Sequence, residues 1–367
     1  MKFLCEKNNL LKEITIAYDI IASRNVLSIL SNVLLEAGDG ILTVRATDLK
    51  VGFESRIPVE VIEPGKTTVF CDKMLGILRS LPEEEIEFAE VENNLLIHPK
   101  NSMRIDFKLR CVSPDNFPEL KETPEENFFK LPQIDFIEMI NQTIFAVSED
   151  ESRYFMNGVY MEKKDNGLVM VATDGRRLSY INKSFESKIK EFKGIIIPPK
   201  ILNLAKRLLP GEGEVSVAIT EKSLFLNFNS IKISSNLIDG QFPNYNKVIQ
   251  GEQPNRIVIS RTELMEALRR VSLFVEQKAK RIYMTISENT VVLNSEESEI
   301  GTAREELSCN FEGTETTLAL NYLYLEEPLK VMEEDEVTIT FSAPDKAVTI
   351  YPVPEKDFFH IVMPMQL

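Results

Sequence analysis

The chain has 367 residues, 43% of them apolar and 27% charged, with 42 Lys+Arg against 57 Asp+Glu and a net charge of −15. That length exceeds what one hydrophobic core serves and calls for two or three domains, while no run approaches the roughly 18 apolar residues of a membrane span. The charged residues Lys2, Glu6, Lys7, Lys12 and Glu13 do not suit a signal peptide, and the dispersed Cys5, Cys71, Cys111 and Cys309 argue for reduced thiols in a cytoplasmic protein over a disulfide frame or zinc site. The acidity speaks against adhesion to nucleic acid by overall charge, so a DNA partner would need local basic surface.

In chain order, Leu10, Leu11, Ile14, Ala17, Tyr18 and Ile21 recur at spacings of three and four and predict an amphipathic helix over about 7–22. The apolar run Ile41–Val44 leads into Ala46-Thr47-Asp48. A short helix over about 72–81 ends in Leu81-Pro82, with Glu85-Ile86 beginning a strand. After the loop Ser113–Pro118, the acidic, proline-bearing stretch Glu119–Asn127 marks a boundary.

The same plan then repeats. A stripe of Phe136, Ile137, Ile140 and Ile144 predicts a helix within 133–149, and Leu168–Val171 leads into Ala172-Thr173-Asp174, 126 residues after its first copy. A helix over about 198–209 ends in Leu209-Pro210 and is followed by Glu214-Val215. The segments Val215–Ile219 and Ser223–Phe228 alternate as strands, and Phe242-Pro243 echoes Phe117-Pro118 at a shift of 125. A second boundary falls in Ile249–Arg256. The third copy is fainter. Leu264, Ala267, Leu268 and Val271 form a helical stripe opened by a capping box of Ser260 and Glu263. A helix over 321–332 contains Pro328, which should kink or shorten it, and Val337–Phe341 reads as a strand. The period is too long for a solenoid, and three tandem α+β domains follow (1–122, 127–248 and 252–367), each with two helices on mostly antiparallel strands.

Catalytic chemistry is hard to place. His98 and His360 have no partner at triad or metal-ligand spacing and read as structural. Nothing matches GxSxG, HExxH or GxGxxG. Pro64-Gly65-Lys66-Thr67 lacks the leading glycine of a phosphate loop, with Glu60 in its place, and reads as a turn before a strand. The runs Glu83-Glu84-Glu85 and Glu333–Glu336 lack calcium-loop spacing and read as solvated turns. The chain therefore reads as a binder without cofactor, metal or catalytic residue. A protein-binding scaffold that never encloses DNA and an enzyme with an unfamiliar acidic site are the other readings these residues admit.

Several motifs in this order resemble the bacterial sliding clamp family, the beta subunit of DNA polymerase III holoenzyme. They are Met1-Lys2-Phe3 with Leu10-Leu11-Lys12, Ala46-Thr47-Asp48-Leu49, Arg153–Gly158, Ala172–Leu178, Asp239–Tyr245 and the tail Val362–Leu367. The resemblance runs end to end. It implies a non-catalytic processivity factor whose head-to-tail homodimer closes as a ring around double-stranded DNA, without sequence specificity, with helices on the inner wall. The six helical segments carry slightly more basic than acidic residues, which suits such a wall. Segment 198–209 supplies Lys200, Lys206 and Arg207, whereas 133–149 has no basic residue.

The resemblance also implies sites. DNA contacts map to Arg24, Lys73, Arg153, Tyr154 and Phe155, alongside the three basic residues of 198–209; Asp72 stands where the family often has a basic residue. The partner-peptide pocket maps to Met156, Thr173, Gly175, Arg176, Arg177, Leu178, Pro243, Lys247, Val248, Ile361, Val362, Met363, Pro364, Met365, Gln366 and Leu367. Its expected occupants are the replicative polymerase's catalytic subunit, the clamp loader, and other polymerases and repair proteins with short docking peptides. The ring seam would pack Ile105 and Phe107 against Leu273 and Phe274, with Lys73 and Arg104 facing Glu296, Glu297 and Glu299.

Overall fold

The computed structural model describes residues 1–21, 29–82, 84–101, 104–186 and 189–366. Arg24 and Leu367 lie outside the described residues. The chain forms two compact units: Met1–Leu131 with Glu214–Leu237, and Pro132–Gly213 with Ile238–Leu367.

The first unit is built on a continuous sheet of 13 strands, antiparallel at every described pairing. Two helices pack against each other, α1 (Lys7–Ile20) and α2 (Cys71–Ser80). Of the expected stripe, Leu10, Ile14, Ala17 and Ile21 are buried, Ile21 just past the helix end. The other two divide: Leu11 stays half-buried and Tyr18 is exposed. Strands Ile41–Thr47 and Val51–Pro58 form a hairpin under α1.

The second unit holds an eight-stranded and a four-stranded sheet. The strand Gly167–Thr173 is buried along its whole length, which is why its sequence is a continuous apolar run instead of an alternation. Helices α3 (Gln133–Asn141) and α4 (Pro199–Leu208) pack together, as do α5 (Arg261–Val271) and α6 (Tyr322–Val331).

Two expectations need correction. The helix anticipated within 133–149 stops at Asn141: the backbone leaves helical geometry at Thr143, at φ −125° and ψ −40°, and the Gln142 side chain reaches out to the Val331 carbonyl at 3.0 Å. Ile144 belongs instead to a separate 3-10 turn. Conversely, Pro328 does not shorten α6, which runs three residues beyond it and spans 10 residues, as many as α2 and α4. Burial of Leu325, Pro328 and Leu329 holds that last turn in place. Ser260 caps α5 as expected, its hydroxyl accepting from the Glu263 amide at 3.3 Å.

Candidate functional site

The repeated Ala-Thr-Asp motif is a turn. In the second copy, Asp174 accepts from the amides of Arg176 (2.8 Å) and Arg177 (3.1 Å), while Thr173 donates to the Arg177 carbonyl and accepts from the Gly175 amide. Asp48 and Thr47 make the corresponding bonds to Lys50, Val51 and Leu49. The residue after each aspartate must take a positive φ, which Gly175 meets at +89° and Leu49 at +72°.

This turn forms one wall of a pocket of about 430 Å³ in the second unit. The pocket unites residues far apart in sequence: Met156, Thr173, Gly175, Arg177, Leu178, Pro243, Lys247, Val248, Ile361 and Met363. Pairing of strand Arg177–Ser184 with strand Phe358–Val362 sets Leu178 opposite Ile361, which places both in the floor. The Met363 amide then donates to the Arg176 carbonyl at 2.8 Å and carries the tail past the turn. Val248 and Met363 remain 36% and 40% exposed at the rim, whereas Leu178 and Ile361 are buried. The lining is thus an apolar basin with soft, partly solvated edges, suited to short apolar peptide side chains.

The other expected pocket residues separate. Arg176, Pro364, Met365 and Gln366 line a second groove of about 400 Å³ that shares Met363 and also contains Lys278, Arg281 and Tyr324. No carboxylate side chain lines that groove among the described residues. Val362 is fully buried opposite Arg177 and lines neither cavity. Arg177 is committed to structure: it holds Asp174, bonds Glu327 and the Phe145 carbonyl, and lies 4.6 Å over the Tyr324 ring. Sequence reasoning missed Asn244, Tyr245, Gln250, Asp345, Lys346 and Ala347 in the lining. The turn carrying the last three shows no motif, and Tyr245 entered the sequence reading only as the end of the Asp239–Tyr245 motif.

The candidate nucleic-acid residues form two groups. On α4, Lys200, Lys206 and Arg207 are all exposed, and the helix contains no acidic residue. In the 3-10 segment Glu151–Met156, Arg153 is paired with Asp150 at 2.9 Å, and Tyr154 is 53% exposed. Phe155 is half-buried and packs against the pocket's apolar cluster. Lys73 is exposed beside Asp72. Other helical cations are spent internally, notably Lys7 on the Leu81 carbonyl and Arg261 on the carbonyls of Leu329 and Glu334.

The seam candidates are at the surface of their own units. Leu273 is 74% exposed, Phe274 half-buried, and Glu296, Glu297 and Glu299 exposed. Ile300, also 74% exposed, adds a large apolar side chain beside them that sequence reasoning missed. In the first unit Arg104 is exposed, and Ile105 and Phe107 are half-buried.

Comparison with known families decides what this arrangement is. The N-terminal, central and C-terminal domains of the DNA polymerase III beta subunit match residues 1–121, 130–244 and 246–366 in turn. The chain belongs to the DNA polymerase III beta subunit family. It is 48% identical to the beta sliding clamp of Treponema pallidum and 28% identical to that of Escherichia coli, over the full length of each chain. Among solved structures, it is similar to the sliding clamp of Pseudomonas aeruginosa bound to griselimycin, with TM-score 0.94, 29% identity and full coverage of both chains. It is also similar to the beta subunit of Thermotoga maritima, with TM-score 0.90, 27% identity and coverage of 100% of this chain and 99% of that one. Like its family, this beta subunit is a DNA polymerase processivity factor, a sliding clamp without catalytic activity.

Proposed function

We propose that two copies of the chain close head to tail around duplex DNA and that the pocket at Leu178 and Ile361 tethers replication and repair proteins to that ring. The observation that carries the docking reading is the preformed apolar basin built from the Asp174 turn, the Pro243–Val248 segment and the C-terminal strand. Three consecutive repeats, 1–122, 127–248 and 252–367, supply the three domains of each half ring. No cofactor or metal enters this reading, and the expected compartment is the cytoplasm.

Retention by enclosure explains how an acidic chain serves DNA. Dense phosphate contacts would bind tightly through counterion release and oppose sliding. A few exposed cations suffice: Lys200, Lys206 and Arg207 on α4, with Arg153 and Lys73 elsewhere and the exposed Tyr154 ring beside Arg153. The test is retention on closed circular DNA after loader-driven assembly. Release on cutting the circle supports the ring, and equal loss from circular and linear DNA refutes it.

The pocket is tested separately with a fluorescein-labelled synthetic peptide from the docking segment of the replicative polymerase's catalytic subunit. Deleting Met363–Leu367 should abolish binding while leaving the dimer intact; surviving affinity would place the pocket elsewhere. Griselimycin, bound by the clamps of Pseudomonas aeruginosa and Bartonella birtlesii, should compete with the peptide.

A further inference from the structure

Glu162, on the strand Val159–Lys164, is not among the pocket's lining residues, yet its two carboxylate oxygens serve two phenols at once. Tyr160 donates to Oε2 at 2.9 Å and Tyr245 donates to Oε1 at 2.5 Å. These tyrosines belong to a ladder of rings. Phe242 stacks on Tyr160 at 4.8 Å, Tyr160 and Tyr245 tilt together at 6.2 Å, Tyr245 meets Tyr180 at 6.0 Å, and Tyr180 stacks on Phe359 at 4.8 Å. Gly194 closes the far side of the Tyr160 hydroxyl, since a Cβ there would lie 2.0 Å from it.

Tyr245 is the rung that matters for docking. It is buried in the pocket lining and opens the single 3-10 turn Tyr245–Lys247, which has no side-chain cap. So short a turn has little hold on its own conformation. Stacked rings resist separation but slide readily in their planes, whereas a hydrogen bond to a charged acceptor fixes direction and distance.

We infer that Glu162 is a positioning residue of the docking pocket: by holding the hydroxyls of Tyr160 and Tyr245 together, it fixes the Pro243–Val248 wall against which a partner peptide seats. This rests on the pocket reading above. Burial and the Glu162 carboxylate together push the Tyr160 phenol up to about 12 and raise that of Tyr245, consistent with both hydroxyls being held.

The test uses the full chain and the labelled polymerase peptide. Glu162→Gln keeps the side chain's shape but leaves one accepting oxygen and no charge. Its peptide Kd should rise about five- to tenfold, the scale of one ordinary hydrogen bond, since the glutamine oxygen still accepts from one phenol. Tyr245→Phe should give a similar rise, and the double variant should bind no more weakly than either single variant, because both remove the same link. In Glu162→Gln the alkaline ultraviolet titration should show two phenols ionising at lower pH than in the parent. Unchanged peptide affinity in Glu162→Gln, a lowered Tm without weaker binding, or losses that add in the double variant would overturn the inference. Met363→Ala separates the two readings. If it leaves affinity intact the pocket itself is misplaced; if it weakens binding while Glu162→Gln does not, only the role of Glu162 fails.

Discussion

His360 is 1% exposed, its imidazole bonded to the Ser179 hydroxyl at 2.9 Å and to the Gln142 side-chain oxygen at 3.2 Å. Burial, with Arg177 nearby, holds its pKa down at about 3. The unfolded chain protonates this residue near pH 6.5 and the folded chain does not, so its contribution falls as pH drops from about 6.5 towards 3. The slope is about 1.4 kcal/mol per pH unit. Urea denaturation at pH 7 and pH 5.5 should therefore show a larger acid loss in the parent than in His360→Gln; equal losses would refute the assignment. At the turns, Leu49 is 59% exposed and pays for a left-handed backbone without packing gain. Leu49→Gly should stabilise by about 0.5 kcal/mol, the left-handed strain relieved less the added chain entropy. Gly175→Ala, at φ +89°, should destabilise by about 1 kcal/mol and weaken peptide binding, both readable by melting and titration.

Among the elements, α5 has the clearest local signals. Ser260→Ala removes the acceptor of the Glu263 amide and should cost about 1 kcal/mol, seen as a lower denaturant midpoint with unchanged slope. Helix α3 shows the opposite balance. Its apolar spacing continues through Ile144, but the backbone leaves helical geometry at Thr143 and the Gln142 side chain bonds the distant Val331 carbonyl, and periodicity carries no trace of either. The α4 helix unites both levels: its buried face of Ile201, Leu202, Leu204 and Ala205 is set by spacing, and the same spacing leaves Lys200, Lys206 and Arg207 outward.

For the whole molecule, the proposed seam combines exposed apolar side chains with an acidic cluster. Exposed ion pairs contribute about 0–1 kcal/mol each, so the apolar contacts should dominate and the charges should set register. Leu273→Asp combined with Ile300→Asp should shift sedimentation from dimer to monomer, while Glu296→Gln, Glu297→Gln and Glu299→Gln together should change the dissociation constant only modestly and mainly at low salt. A dimer unaffected by the first pair would place the seam elsewhere.

The triple repeat, the helix faces and the Asp174 turn follow from spacing and from hydrogen bonds between near neighbours, so the sequence by itself determined them. The pocket has a different origin. Leu178 meets Ile361 only through strand pairing across 183 positions, and Tyr245 reaches Glu162 across 83. Likewise, nothing local told Phe155 to turn inward while Tyr154 stayed in solvent. Register between distant strands and competition for buried hydrogen-bond partners are properties of the folded core, and only the tertiary structure decided them.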